Sequence, residues 1–102
     1  MEKVIRDGKV AVLYSPGFGA GWYTWNSGVT ELVFDSIIVN AVLDGDIEKA
    51  RARAEEICPD GYFGGADNLT VGWVPVGEAF EITEYYGAES LKIIGEQSYL
   101  IA

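Results

Sequence analysis

The sequence predicts an α+β domain spanning residues 1–102, with a mainly antiparallel sheet and two short helices on one face. The sheet is expected from an N-terminal hairpin plus C-terminal strands. Three observations carry this. Asp7-Gly8 separates two β-rich runs, which is the signature of a two-residue type I′ hairpin turn. Between residues 35 and 58, apolar residues recur at helical spacing behind a leading aspartate in each run, as in capped amphipathic helices. From residue 69 onward, short β-rich runs are divided by turns containing glycine or proline. The order strand–strand, loop, helix–helix, loop, four strands groups the helices in one block, which favours α+β over an alternating α/β design.

Residues 2–6 and 9–14 are the predicted hairpin strands. Val10-Ala11-Val12-Leu13-Tyr14 is almost wholly apolar, so it reads as a central strand covered on both faces. Pro16 ends it by removing a ladder donor. Residues 29–34 fit either a short helix or a strand. Asp35 heads a helix over 36–43, with Ile37, Ile38, Ala41 and Val42 at helical spacing. Asp46 heads a second helix over 47–58, whose stripe is Ile47, Ala50, Ala54, Ile57 and Cys58, and Pro59 ends it. Residues 69–74 alternate, placing Leu69, Val71 and Trp73 on one face. Residues 75–78 turn, and residues 79–86 alternate with Phe80 and Ile82 inward. Gly87 turns the chain, and 90–94 and 97–101 are expected to close the fold as a last hairpin.

Composition narrows the function. There is no histidine, which removes Ser/His and Cys/His nucleophilic pairs and histidine metal ligands. Cys58 is the single cysteine, so no intrachain disulfide forms, and a reducing, cytoplasmic setting is expected. Asp44 and Asp46, Asp60 and Asp67, and Glu81 and Glu84 match no metal or acid/base motif and suit helix caps, turns and solvated faces. No catalytic residue, metal or cofactor is expected. The net charge is −9, from 16 acids and 7 bases; such a field repels nucleic acid polymers and anionic membranes. The start, Met1 to Asp7, lacks a leader-like apolar run, and no stretch is long enough to span a bilayer.

One segment stands out: Ser15-Pro16-Gly17-Phe18-Gly19-Ala20-Gly21-Trp22-Tyr23-Thr24-Trp25-Asn26. It lacks the spacing of a dinucleotide fingerprint and the Lys-Ser/Thr pair of a Walker A loop. Two readings stand side by side. In one, Trp22 and Trp25 plug the core. In the other, the segment is a receptacle for a small nucleotide-like ligand: Phe18, Trp22 and Trp25 stack on a base, while the amides of Gly17, Gly19 and Gly21 cradle phosphate. Ser15 and Asn26 orient the ligand, and Arg51 or Arg53, which otherwise read as solvated helix residues, supply charge from the same or a neighbouring subunit. A second glycine-and-aromatic loop covers 59–67.

The opening, Val4 to Leu13 running into Ser15-Pro16-Gly17-Phe18-Gly19-Ala20-Gly21-Trp22 and Thr24-Trp25-Asn26, resembles a group of small phage proteins, and the likeness extends to Trp73-Val74-Pro75. In size, acidity and richness in glycine and aromatics, the chain is also similar in type to anti-defence "sponges", oligomers that sequester cyclic nucleotides or ADP-ribose derivatives of the Thoeris and CBASS immune systems. The resemblance implies a non-catalytic homo-oligomer in the cytoplasm of an infected bacterium. The alternative is a protein-interaction module that blocks a host protein, with acidic charge mimicry as a variant. A carboxylate-based, metal-dependent hydrolase is the third reading.

Overall fold

A computed structural model of the chain describes residues 2–17, 21–95 and 100–101. The expected hairpin forms from β1 (Ile5–Arg6) and β2 (Lys9–Tyr14). Asp7 and Gly8 both take positive φ, at 52° and 75°, as a type I′ turn requires. β3 (Thr70–Pro75) pairs antiparallel with the other edge of β2. β2 is therefore central, and Val10, Ala11, Val12 and Leu13 are all buried.

The ambiguous stretch 29–34 resolves as a one-turn helix, α1 (Glu31–Phe34). Asp35 caps α2 (Ser36–Leu43) by accepting from the Ile38 amide at 3.1 Å. Asp46 caps α3 (Ile47–Ile57) by accepting from the Lys49 amide, also at 3.1 Å. Both caps satisfy a donor that the first helical turn leaves orphaned. Beyond them, Gly64–Asn68 forms a 3₁₀ turn.

The remaining strands form a second sheet: β4 (Ala79–Tyr85), β5 (Ala88–Gly95) and β6 (Leu100–Ile101), in the order β5-β4-β6. The fold is thus α+β with antiparallel pairing, as expected, but its strands divide between two three-stranded sheets. The final hairpin is a correction. β6 pairs with β4 rather than β5. β5 already occupies one edge of β4 through the Tyr86-Gly87 turn, in which both residues have positive φ. The remaining edge beside buried Ala79 and Phe80 takes β6.

Strand alternation in β2 divides the core in two. Ala11 and Leu13 face the helices with Leu32, Ile38, Val39, Ala50 and Ala54. Val10 and Val12 face the second sheet with Val33, Phe34, Val74, Phe80 and Ile82. Phe34 meets Phe80 edge-on, with ring centroids 6.0 Å apart, a favoured aromatic geometry. Leu69, Val71 and Trp73 share the helix-side core, as their alternation predicts. No helix among the described residues is long and apolar enough to cross a membrane.

Phe80 is fully buried between the sheets, so Phe80→Ala is expected to cost about 3–5 kcal/mol in urea unfolding. A loss under about 1 kcal/mol would show that the two sheets do not share a packed interior.

Candidate functional site

Ser15, Trp22 and Thr24 of the segment converge on Glu89, a residue that no sequence pattern singles out. Glu89 stands near the start of β5 and is 2% exposed. Its Oε1 accepts from the Ser15 amide at 2.9 Å. Its Oε2 accepts from the amides of Trp22 at 3.1 Å and Thr24 at 2.8 Å, and from the Thr24 hydroxyl at 2.7 Å. The Glu89 amide in turn donates to the Ser15 carbonyl at 2.8 Å. Loop amides do cradle an anion here, but that anion is the chain's own carboxylate.

The other expected ligand-binding residues fall into four groups. Trp22 belongs to the core: it is fully buried, its Nε1 donates to the Leu32 carbonyl at 2.7 Å, and its ring lies 5.3 Å from that of Phe63. That corrects its expected place against a ligand, since both indole faces are covered by protein. Ser15 is also buried and donates its hydroxyl to the Gly65 carbonyl at 2.8 Å.

Asn26 serves as a staple between the two glycine-rich loops. Its side-chain amide donates to the carbonyls of Trp22 and Tyr62, and its Oδ1 accepts from the Tyr62 amide at 2.7 Å.

Arg51 pairs with Asp67 at 3.1 Å. Arg53 grips both oxygens of Asp35, at 3.2 and 3.1 Å, and reaches Glu56 at 3.5 Å. Asp35 raises the Arg53 pKa, by hydrogen bonding first and charge second. Each arginine thus pairs with a carboxylate of the same chain, and Arg53 braces the α2 cap.

Gly17 lies against Asn68, and Gly21 lies under the Trp25 ring so closely that a Cβ would collide with it. Phe18 and Gly19 lie outside the described residues. Trp25 is the expected ring that faces solvent, 42% exposed, and it is joined by Tyr62, 51% exposed, at a centroid distance of 5.7 Å.

The cations gather elsewhere. At the turn end of the first sheet, Arg6, Asp7, Lys9 and Trp73 line an open cleft of about 280 Å³. Register puts them together. Arg6 pairs with Lys9, and Ala11, two residues along on the same face, pairs with Trp73. The Arg6 guanidinium lies 5.7 Å from the Trp73 ring centroid, within cation–π range. β2 separates this cleft from segment 15–26 by roughly 17 Å, at the usual rise per strand residue. Arg6 and Lys9 are both exposed. Extending the Asp7-Gly8 hairpin register across to residues 69–74 is the signal that finds the cleft.

Among the described residues, no three of Asp, Glu and Cys converge as a metal site. The carboxylate pairs noted in the sequence take largely structural posts: Asp46 caps α3, Asp67 holds Arg51, and Glu84 accepts from the Gly87 amide. No family model matches the chain, and neither a curated protein nor a solved structure matches it.

Every contact to the Glu89 carboxylate is a donor, so an acceptor-only group is required there. Glu89→Gln turns an NH2 toward those donors and is expected to cost about 1.5–3 kcal/mol in urea unfolding. Amide exchange at Ser15, Trp22 and Thr24 should accelerate in the same variant. Unchanged exchange at all three would show that the carboxylate does not hold the loop.

Proposed function

We propose that this chain is a non-catalytic binding protein that sequesters a small nucleotide-derived molecule, with the Arg6–Lys9–Trp73 cleft as the receptacle. The observation that carries the reading is the meeting of two of the 7 bases with an indole in one cleft of an otherwise acidic chain. A guanidinium binds phosphate oxygens in a fork geometry, and an ammonium adds a point charge. Stacking a base on an aromatic ring is worth about 1–3 kcal/mol. The Asp7 carboxylate opposes a bare phosphate but accepts hydrogen bonds from ribose hydroxyls or an exocyclic amine. The combination suits a nucleotide better than an inorganic anion. The −9 charge does not defeat this, because fields from distant acids fade over about 10 Å at ordinary ionic strength.

The resemblance of residues 4–26 to small phage proteins supports placing this activity in the cytoplasm of an infected bacterium, as an anti-defence sponge that assembles from several copies. A second reading, a protein-interaction module, is favoured by a different observation: the solvent-facing rings at the opposite end of the molecule.

Thermal shift and calorimetry against cyclic ADP-ribose isomers and cyclic di- and trinucleotides test the first reading. Stabilisation by one of these ligands is expected, with intact ligand recovered by chromatography. Arg6→Ala and Lys9→Ala should each weaken binding by about tenfold or more, the usual effect of losing a charged hydrogen bond. Sedimentation of free and loaded protein reads the assembly state. Failure of every ligand to stabilise the chain, or binding indifferent to both substitutions, removes the cleft from consideration.

A further inference from the structure

The seven basic residues are Lys3, Arg6, Lys9, Lys49, Arg51, Arg53 and Lys92, so residues 10–48 and 54–91 contain none. Those two stretches supply the end of the molecule opposite the cleft. Three segments meet there. Glu89 ties segment 15–24 to the start of β5, just beyond the Tyr86-Gly87 turn. Asn26 ties the same segment to Tyr62. Each tied segment presents rings to solvent: Trp25 at 42%, Tyr62 at 51%, and Tyr85 and Tyr86 at 69% and 73%. Trp25 and Tyr62 are neighbours, and Tyr85 and Tyr86 meet edge-on at 4.6 Å. Asp60 and Glu84 are exposed beside them in sequence.

We infer that this aromatic end docks an arginine-bearing segment of another protein. The argument is charge complementarity joined to ring chemistry. Flat, exposed rings attract guanidinium groups over their faces, and the exposed Asp60 beside Tyr62, on segments that carry no base, favours a cationic guest. An anionic ligand finds no positive side chain on these segments. A second copy of the chain would bring another −9 charge against acidic segments, so like-charge repulsion opposes self-docking here. The rings are also held in place before any guest arrives. The Trp25 ring lies against the Gly21 backbone, and the Tyr62 ring lies against Gly64, so little side-chain freedom is lost on binding. This surface is independent of the nucleotide cleft.

The test uses the full chain and a short fluorescein-labelled oligoarginine peptide, read by anisotropy at low and physiological salt, with oligoglutamate as control. Saturable binding of oligoarginine alone is expected. Backbone amide shifts should map to Thr24–Asn26, Asp60–Tyr62 and Glu84–Gly87. Trp25→Ala and Tyr62→Ala should each weaken binding about two- to fivefold, the effect of one exposed cation–π contact. Arg6→Ala should leave it unchanged, which separates this result from the fate of the nucleotide reading. Trp25→Phe, which keeps a ring, should retain most of the affinity and guards against misfolding of the alanine variant. Three outcomes overturn the inference: no saturable binding at low salt, binding indifferent to both ring deletions, or shifts confined to the acids of α3. Self-association that Trp25→Ala abolishes, without peptide binding, replaces the inferred partner with a second copy.

Discussion

The capture of the Glu89 carboxylate by segment 15–24 is the contact on which the rest of this molecule's surface depends. A buried carboxylate with no partner is prohibitively costly, and the chain meets that demand with dipoles instead of a cation. Three backbone N–H groups and a threonine hydroxyl converge on it, and no ion pair to it occurs among the described residues. The dependence runs both ways. The amides of Ser15, Trp22 and Thr24 would in turn lose their acceptor without the carboxylate. Aspartate in the same place would carry the charge but lose a methylene of reach, and glutamine would carry the shape but offer donors to donors. Glutamate alone satisfies both demands.

From that anchor the surface chemistry separates into two ends. The amides of Ser15, Trp22 and Thr24 are engaged by an internal anion, and the stretches nearby lack any base. Among the described residues of the segment, the ring most exposed to solvent is the Trp25 indole. The cations that do reach solvent together, Arg6 and Lys9, are placed by hairpin register at the far end of β2. An acidic protein can thus carry a local site for anions without contradiction, because register places a few side chains together at a range where screening by solvent and salt is least effective. The remaining arginines, Arg51 and Arg53, pair α3 with Asp67 and Asp35.

What was legible in the sequence was what local interactions decide. Asp35 and Asp46 act on amides three residues away, so the pattern of capping residue and apolar stripe suffices to place α2 and α3. Asp7-Gly8 decides its turn from its own φ preferences. The short stretch 29–34 was ambiguous because six residues do not distinguish periods of 2 and 3.6, and tertiary packing of Leu32, Val33 and Phe34 decided for a helix. The partner of the glycine-rich loop was illegible for the opposite reason. Glu89 lies 65 to 74 residues from the groups it binds, and between Ala88 and Ser90 it looks like any outward-facing strand acid. The pairing of β6 with β4 was hidden in the same way, since a terminal strand can add to either free edge and sequence adjacency favours the wrong one.

That contrast explains how one segment can satisfy the sequence reading in part and still change its meaning. Glycine density and clustered aromatics mark a place where backbone is approached closely, as at Gly21 and Gly64. They do not specify whether those partners come from outside the chain. Here the close approaches are rings from the same loops lying on Gly21 and Gly64, and the anion comes from β5. Trp22 completes the internal solution by filling the space between the loops and the helices beside Phe63. Once the inner demands are met, only side chains that no internal contact covers can act on other molecules. Among the described residues, the paired rings at one end and the cation-lined cleft at the other are two such groups. In the proposed reading, their different charge environments favour guests of opposite sign, because a base lies beside one and none beside the other.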